Sequence, residues 1–327
     1  MLSRLLLTAS FILLSPLFAG TKSCFSFFPG SYIVIDGHPA FAVEKDTFLS
    51  LKCPPSKKIV AHDPFKGLCL FEHKASKPLP LSDAKPPLYI CPDKRVLERP
   101  IRSYPVSIFA GELAVRPGHE GALFAGCCRL AGIFDAEGGW FDAASIRRLM
   151  KGDTYHGDIG VRFATIEGKV AAESVDPFAS SGFRAGDIVL GIGDGGRPEL
   201  REVRDRIDRC REGEKLPFTV KRGGKRLKIE AQCFERTGGG ALSDTFLERF
   251  GTYFSKSLRI EKIDPSSTAY KRGLRVGDRL LMIDGKSVEK EEDVRAILSG
   301  YGVQKSTPEN MLWEREGFQF FLLPASL

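Results

Sequence analysis

Five histidines and eight cysteines are the side chains here best suited to metal binding or acid–base chemistry. Cys53, His62, Cys69 and His73 lie close enough along the chain to suggest a zinc set. No C-x-x-C pair accompanies them, and such pairs are the usual core of a structural zinc site. No metal and no cofactor is expected. His119, with Glu120 beside it, has the composition of a base and an orienting acid. Neighbours on a strand or turn generally point apart, so adjacency alone makes no dyad. No catalytic residue is assigned on these grounds.

The remaining cysteine chemistry depends on compartment. In the first twenty residues Arg4 is the only charge, Leu5 to Phe18 is an apolar run, and Ala19 and Gly20 are small. This pattern predicts a cleaved signal peptide over residues 1–20. The run of about 14 residues is short of the roughly 18–20 that span a bilayer, and Pro16 interrupts it; an uncleaved anchor is the alternative. Cys24 lacks an acylation box, being preceded by Thr21-Lys22-Ser23. Export, most simply to a periplasm, permits disulfides. Cys210, at the end of an expected helix, and Cys233, at the end of an expected strand, are a plausible couple, whereas the adjacent Cys127 and Cys128 would strain a mutual bond.

A length of 327 residues suits two or three domains, and the 43% hydrophobic and 27% charged content is that of a soluble globular chain. The net charge of +7 is modest. Between Arg197 and Glu212 basic residues alternate with Glu199, Glu202, Asp205 and Asp208, the pattern of a solvated helix. No basic stripe with interleaved aromatics occurs, which speaks against nucleic-acid binding.

An internal repeat organises the C-terminal half. Gly182-Phe183-Arg184-Ala185-Gly186-Asp187 returns as Gly273-Leu274-Arg275-Val276-Gly277-Asp278, at an offset of 91 residues. The same offset carries Leu190 and Ile192 onto Leu281 and Ile283, Val203-Arg204 onto Val294-Arg295, and Ile159-Gly160-Val161 onto Phe250-Gly251-Thr252. Each copy reads as an apolar-Gly-apolar turn and a strand (Val161–Ala164; Thr252–Ser255), then a second strand (Lys169–Val175; Ser257–Ile263). A Gly-x-x-x-Gly-Asp turn, a third strand (Ile188–Ile192; Arg279–Ile283) and a tight turn follow. An amphipathic helix then carries Leu200, Val203 and Ile207, or Val294, Ile297 and Leu298, on one face, and two strands close the copy. A polar segment, Tyr301 to Pro308, lengthens the connection after the second helix.

This order resembles PDZ domains, and in particular those of the HtrA/Deg family, over residues 155–235 and 246–327; residues 236–245, with Thr237-Gly238-Gly239-Gly240, read as a flexible Gly-rich linker. A PDZ domain binds a peptide as an added strand and holds its terminal carboxylate in a turn of backbone N–H groups. The resemblance implies peptide-binding residues Ile159, Gly160, Val161, Phe163, Val203 and Ile207 in the first domain. In the second it implies Arg249, Phe250, Gly251, Phe254, Val294 and Leu298. Asp158 precedes the first glycine turn and would repel a carboxylate if it pointed inward, whereas Arg249 would attract one. Tighter binding of free C-termini by the second domain is the expectation.

From Cys24 to Met150, short β-type runs such as Ser31–Ile35, Phe48–Leu51 and Val106–Phe109 alternate with Gly and Pro turns. The expected fold is mainly β with α+β modules: a small β-barrel-like, degenerate protease-like domain over residues 24–150, followed by two PDZ domains. His62-Asp63-Pro64-Phe65-Lys66-Gly67-Leu68 resembles the D-P-x-x-D-L segment of HtrA/Deg proteases. Pro117-Gly118-His119-Glu120-Gly121-Ala122-Leu123-Phe124 resembles their nucleophile loop. Laid on that pattern, Gly67 stands in place of the triad aspartate and His119 in place of the serine, and His38 is the nearest histidine without the family's surrounding segment. A triad needs an activated oxygen and an orienting acid, and glycine supplies neither. The expectation is a non-catalytic envelope protein that binds protein C-termini or extended peptides as an adaptor, chaperone or protease regulator, within an envelope protein complex or a homo-oligomer. The alternative is an active serine endopeptidase of envelope quality control.

Overall fold

The computed structural model describes residues 30–322 apart from 75–76, 86–87, 92–94, 98–100, 126–128 and 305–307. The expected signal peptide, Cys24 and the pair Cys127-Cys128 lie outside the described residues. The N-terminal part holds two antiparallel sheets. The first is built from β1 (Tyr32–Ile35), β2 (His38–Glu44), β3 (Thr47–Ser50), β4 (Ile59–Asp63) and β5 (Leu68–Glu72), in the order β1-β2-β3-β5-β4. The second contains β6 (Leu88–Cys91), β7 (Arg95–Leu97), β8 (Ile101–Ser103), β9 (Gly111–Leu113), β10 (Gly121–Ala125), β11 (Arg129–Phe134) and β12 (Gly139–Asp142), in the order β7-β6-β10-β11-β12-β9-β8.

Alternation along the strands explains how these sheets pack. In β2, Phe41 and Val43 join a core shared with Ala122, Phe124, Leu130 and Ile133 of the second sheet, while Ala40 and Ala42 turn the other way toward Phe48 and Phe71. In the second sheet Leu88, Ile90, Leu123 and Trp140 form a further core on the opposite face. Both sheets therefore bury both faces, as curled, barrel-like sheets do. Helix α1 (Ala143–Met150), capped by Asp142 accepting the Ser145 N–H at 2.9 Å, lays Ile146 and Leu149 on the shared core. Cys53 and Cys69 form a disulfide, which removes both thiolates from the zinc set that the spacing allowed.

The Val106–Phe109 run is not a strand. Val106 and Phe109 exchange both backbone hydrogen bonds at 3.0 Å around a two-residue turn, with Ser107 at φ 59°. Such a turn needs a positive φ at its first central position, and the wholly buried Ile108 pins it inward. An apolar run that alternates with polar residues does not distinguish this anchored turn from a strand.

The first repeat opens with β13 (Gly157–Asp158), which pairs with β19 (Phe234–Glu235) to close the unit. Its sheet has the order β14-β15-β16-β17-β18, from β14 (Val161–Ile166), β15 (Lys169–Val175), β16 (Ile188–Ile192), β17 (Lys215–Arg222) and β18 (Lys225–Gln232). Helix α2 (Leu200–Asp208) starts in a capping box between Glu199 and Glu202 and places Val203 and Ile207 against this sheet. The Cys210–Cys233 disulfide ties the chain just past α2 to the end of β18, as the sequence suggested. The second repeat contains β20 (Thr252–Phe254), β21 (Ile260–Ile263), α3 (Thr268–Lys271), β22 (Arg279–Ile283), β23 (Lys286–Ser287), α4 (Glu291–Gln304), β24 (Met311–Arg315) and β25 (Phe318–Leu322). Here β20 pairs only with β21, while β23-β22-β24-β25 form a separate sheet. Residues 301–304 belong to α4, so the second helix runs into the segment expected to be a polar connection.

The Gly-rich segment between the repeats is docked rather than loose, which corrects the expectation of a flexible tether. Arg236 Nη1 donates to the Gly238 carbonyl at 3.1 Å, Gly239 N–H to the Ser243 carbonyl at 2.8 Å, and Ala241 N–H to the Phe65 carbonyl at 2.7 Å. Gly240 lies so close to the Phe65 carbonyl that an added Cβ would sit 2.2 Å from that oxygen. Glycine there serves close backbone approach as well as freedom. No helix among the described residues is long and apolar enough to cross a membrane.

Candidate peptide-binding grooves

In the first repeat β14 is the edge strand and α2 runs beside it. Ile159, Val161, Phe163, Val203 and Ile207 are all buried in one cluster, so the residues expected to line the groove do meet. Gly160 adopts φ 71°, and a Cβ there would meet the Ala179 Cβ at 2.5 Å, which fixes glycine at the turn. The N–H groups of this turn are already engaged. Asp158 Oδ1 accepts from Ile159 N–H at 2.7 Å and from Gly160 N–H at 2.8 Å. The carboxylate expected to repel an incoming terminus instead occupies the place where that terminus would bind.

Asp158 is held there by arginine. Arg162 Nη1 donates to its two oxygens at 3.0 and 2.9 Å, and the same guanidinium forks onto Asp244 through Nε and Nη2 at 2.7 and 2.8 Å. Despite its burial, the two carboxylates hold the Arg162 guanidinium strongly in its charged form. Ser107 and Phe109 of the N-terminal turn close over the groove, with the Arg204 guanidinium 4.5 Å above the Phe109 ring. Ser107 Oγ donates to Asp208 Oδ1 at 2.9 Å.

Behind this contact lies a buried polar cluster. His156 is wholly buried, with Nδ1 2.6 Å from Asp208 Oδ1 and Nε2 3.1 Å from Asp63 Oδ2. Both ring nitrogens face carboxylates. Arg148 Nη1 donates to Asp208 Oδ2 at 2.7 Å, and Lys66 Nζ lies 3.4 Å from Asp63. Burial pushes both carboxyls up, but the His156 hydrogen bond, with Arg148 at Asp208 and Lys66 at Asp63, holds each below its ordinary value. This cluster clamps the N-terminal domain to the first repeat. Its members are scattered from Asp63 to Asp208, and no local signal announced it.

In the second repeat Gly251 adopts φ 75°, and a Cβ would meet Asp264 and Ser267 at 2.9 and 3.0 Å. Phe254, Val294 and Leu298 are buried together, with Phe250 packed at their margin. This groove is bordered by the chain's own linker. The Phe254 N–H donates to Ser243 Oγ at 2.9 Å, Asp244 N–H donates to Glu291 at the start of α4 at 3.1 Å, and Arg295 donates to the Asp244 carbonyl. Glu248 anchors the segment by accepting from Ser243 Oγ at 2.6 Å and from Thr245 N–H and Oγ1 at 2.9 Å each. Burial pushes its carboxyl up to about 7, against the pull of the Ser243 hydrogen bond.

Arg249 does not offer its charge to a terminus, which corrects the expectation for this turn. Its Nη1 lies 2.9 Å from Asp176 Oδ2 of the first repeat, and its guanidinium is 5.4 Å from the Phe234 ring centre. Burial raises the Asp176 carboxyl to about 6 even with Arg249 beside it. Phe178 and Phe250 meet edge to face at 5.0 Å across the same junction.

At the protease-like positions, Gly67 sits at φ 65° in the turn between β4 and β5, and His119 Nδ1 lies 2.9 Å from the Glu120 carbonyl. His38 Nδ1 lies 2.8 Å from Glu120 Oε2. Glu120 therefore meets His38 through its side chain and His119 through its carbonyl, so the side-chain pair is a histidine and a glutamate with no serine in it.

Comparison with known proteins agrees with this architecture. Residues 157–233 and residues 259–302 each match a PDZ domain model. A probable periplasmic serine protease do/HhoA-like of Haemophilus influenzae is 26% identical over 161 residues, covering 46% of this chain and 34% of that protein. A probable periplasmic serine endoprotease DegP-like of Bartonella henselae is 27% identical over 135 residues, covering 36% and 27%. This is an HtrA-like PDZ protein. It spans 34% and 27% of the length of these two relatives. A solved HtrA-type protease, AlgW with tripeptide, has a similar fold at a TM-score of 0.51 and 14% identity, over 66% of this chain and 97% of that one. The HtrA-like fold thus comprises a mainly β, protease-like N-terminal region and two PDZ domains.

Proposed function

We propose that this chain is an exported, non-catalytic binding protein that holds extended peptide segments of envelope proteins through its two PDZ domains. The observation that carries the reading is that β14 and β20 are both edge strands, each beside a helix and a buried apolar cluster. An edge strand offers its backbone groups to an added strand, which at β20 would displace Ser243 from the Phe254 N–H, and the apolar cluster accepts its side chains. The names of the relatives, both periplasmic, support export.

The chemistry of the N-terminal domain supports the non-catalytic part. Ser107, Asp208 and His156 do come together, but Ser107 and His156 both bond to the same Asp208 oxygen. A catalytic base must accept the serine's proton, and here the Ser107 hydroxyl is bonded to the Asp208 carboxylate while both His156 nitrogens face Asp208 and Asp63. The relatives' description as serine proteases favours the second reading, an endopeptidase. Casein incubated with the purified chain separates the two: the expectation is peptide binding with no turnover. Turnover abolished by Ser107→Ala or His119→Ala would establish the endopeptidase reading instead.

A further inference from the structure

The cavity of the first PDZ groove is lined by more positive than negative side chains. A cavity of about 130 Å³ lies between β14, α2 and the Ser107–Phe109 turn, and its charged lining comprises Arg162, Arg204, Arg236, Arg295, Glu173 and Asp244. Two of the four arginines are fully paired. Arg162 is shared by Asp158 and Asp244, and Arg295 reaches Asp244, Glu291 and Glu292 at 3.8, 3.8 and 3.4 Å.

The other two are less completely paired, Arg236 keeping Asp158 at 3.5 Å and the Gly238 carbonyl at 3.1 Å. Arg236 is 8% exposed, and its buried Nε has no hydrogen-bond partner among the described residues. Arg204 makes no ion pair within 4 Å among the described residues; it donates to the Phe163 carbonyl at 3.3 Å and lies over the Phe109 ring. Burial lowers both guanidinium groups; Arg236 lowers Arg204 further against the pull of Glu173, and at Arg236 the neighbouring Arg162 opposes Asp158, Asp244 and Asp208. Buried charges without partners are costly and are normally paired or hydrogen-bonded. Meanwhile the glycine turn, the usual seat for a peptide's terminal carboxylate, is filled by Asp158.

We propose that the first PDZ domain recognises an acidic side chain within an extended peptide, seating its carboxylate against Arg204 and Arg236 rather than capturing a chain terminus at the Gly160 turn. This rests on the peptide-binding reading above and specifies the ligand of one of its two grooves. A carboxylate from an aspartate or glutamate has the planar, two-oxygen shape that a guanidinium fork pairs best. The cavity admits one such side chain, and the backbone of the peptide would run along β14. The linker's Asp244 already shows that carboxylates are accepted at its rim, on Arg162.

The test uses calorimetric titration of the full mature chain with three peptides. The first is N-acetylated, C-amidated Val-Thr-Val-Glu-Val-Thr; the second has Gln for Glu; the third is the Gln peptide with a free C-terminal carboxylate. The Glu peptide is expected to bind at least tenfold more tightly than its Gln counterpart. Arg204→Gln should erase that difference, Arg204→Lys should retain part of it, and neither should change binding of the free-terminus peptide by more than twofold. Asp158→Ala, which frees the Gly160 turn, should add binding of the free-terminus peptide at a second site. Equal binding of the Glu and Gln peptides by the unmodified chain overturns the proposal, as does a Glu preference that survives Arg204→Gln in a folded variant. Because the Glu and Gln comparison needs no mutation, an unfolded variant does not shield the proposal. Failure of all three peptides to bind would instead overturn the peptide-binding reading itself.

Discussion

The two PDZ domains share a register of 91 residues and differ in what closes their grooves. The first is closed by charge: Asp158 fills its own carboxylate turn, and the first domain is locked to the N-terminal region through His156, Asp63 and Asp208. The second is closed by chain: the linker from Ser243 to Thr245 lies along β20 and is anchored on Glu248. Duplication preserved the turns, the strands and the helix face. It left the contacts each copy makes with its neighbours to diverge, and those contacts decide what each groove can receive.

The largest effect that breaks the symmetry should come from Asp208→Ala. Removing that carboxylate leaves the buried His156 with Asp63 alone and Arg148 with Asp153 alone, and breaking a buried pair from one side costs about 3–5 kcal/mol. Urea unfolding monitored by tryptophan fluorescence should show that loss; a change under about 1 kcal/mol would mean the clamp does not hold the first domain.

The second closure should answer to pH in the opposite sense. Glu248 has its folded-state carboxyl raised to about 7 from an ordinary 4.5, so folding favours its protonated form. Its stabilising contribution is complete below about pH 4.5 and is lost as pH rises through 7, on the order of 3 kcal/mol in total. Asp208 and Asp63 are held low instead, so their contribution is present above their unfolded values and is lost only as pH falls through the folded ones. Stability measured at pH 5 and pH 8 should therefore fall toward pH 8, and Glu248→Gln should flatten that slope. An unchanged slope in the Gln variant would assign the pH dependence elsewhere, with Asp176, raised to about 6, the next group to examine.

Arg249→Gln should have the smallest effect, about 1 kcal/mol, because Phe178 and Phe250 still pack across the junction and the Asp176 carboxyl can take up a proton. Thermal unfolding would measure it. A loss as large as that of Asp208→Ala would mean that the junction between the two PDZ domains is as strong as the clamp to the N-terminal domain.

Local pattern carried much of this architecture. The strands Ile188–Ile192 and Arg279–Ile283 and the apolar faces of both groove helices follow directly from spacing and turn residues. The Cys210–Cys233 pair was also visible, because both cysteines end elements of one repeat. What escaped depends on distant partners. Asp158 reads as a repelling charge until its own N–H neighbours are seen to claim it. Arg249 reads as a free cation because Asp176 lies in the other repeat. The glycines of the linker have the composition of a tether, yet Phe65 and Ser243 fix them. Likewise Val106–Phe109 has strand-like residues, and only the burial of Ile108 and the cover over Arg204 reveal a plug.

Helix α4 packs on both PDZ domains. Val294 and Leu298 wall the second, while on another side Ser299 Oγ accepts the N–H of Val175, the residue paired with Val161 beside the first glycine turn, at 2.8 Å. The two PDZ domains thus share one helix as a common support. Displacing α4 from β20 would also pull at the Ser299–Val175 hydrogen bond, so one helix ties the apolar wall of the second domain to the sheet of the first.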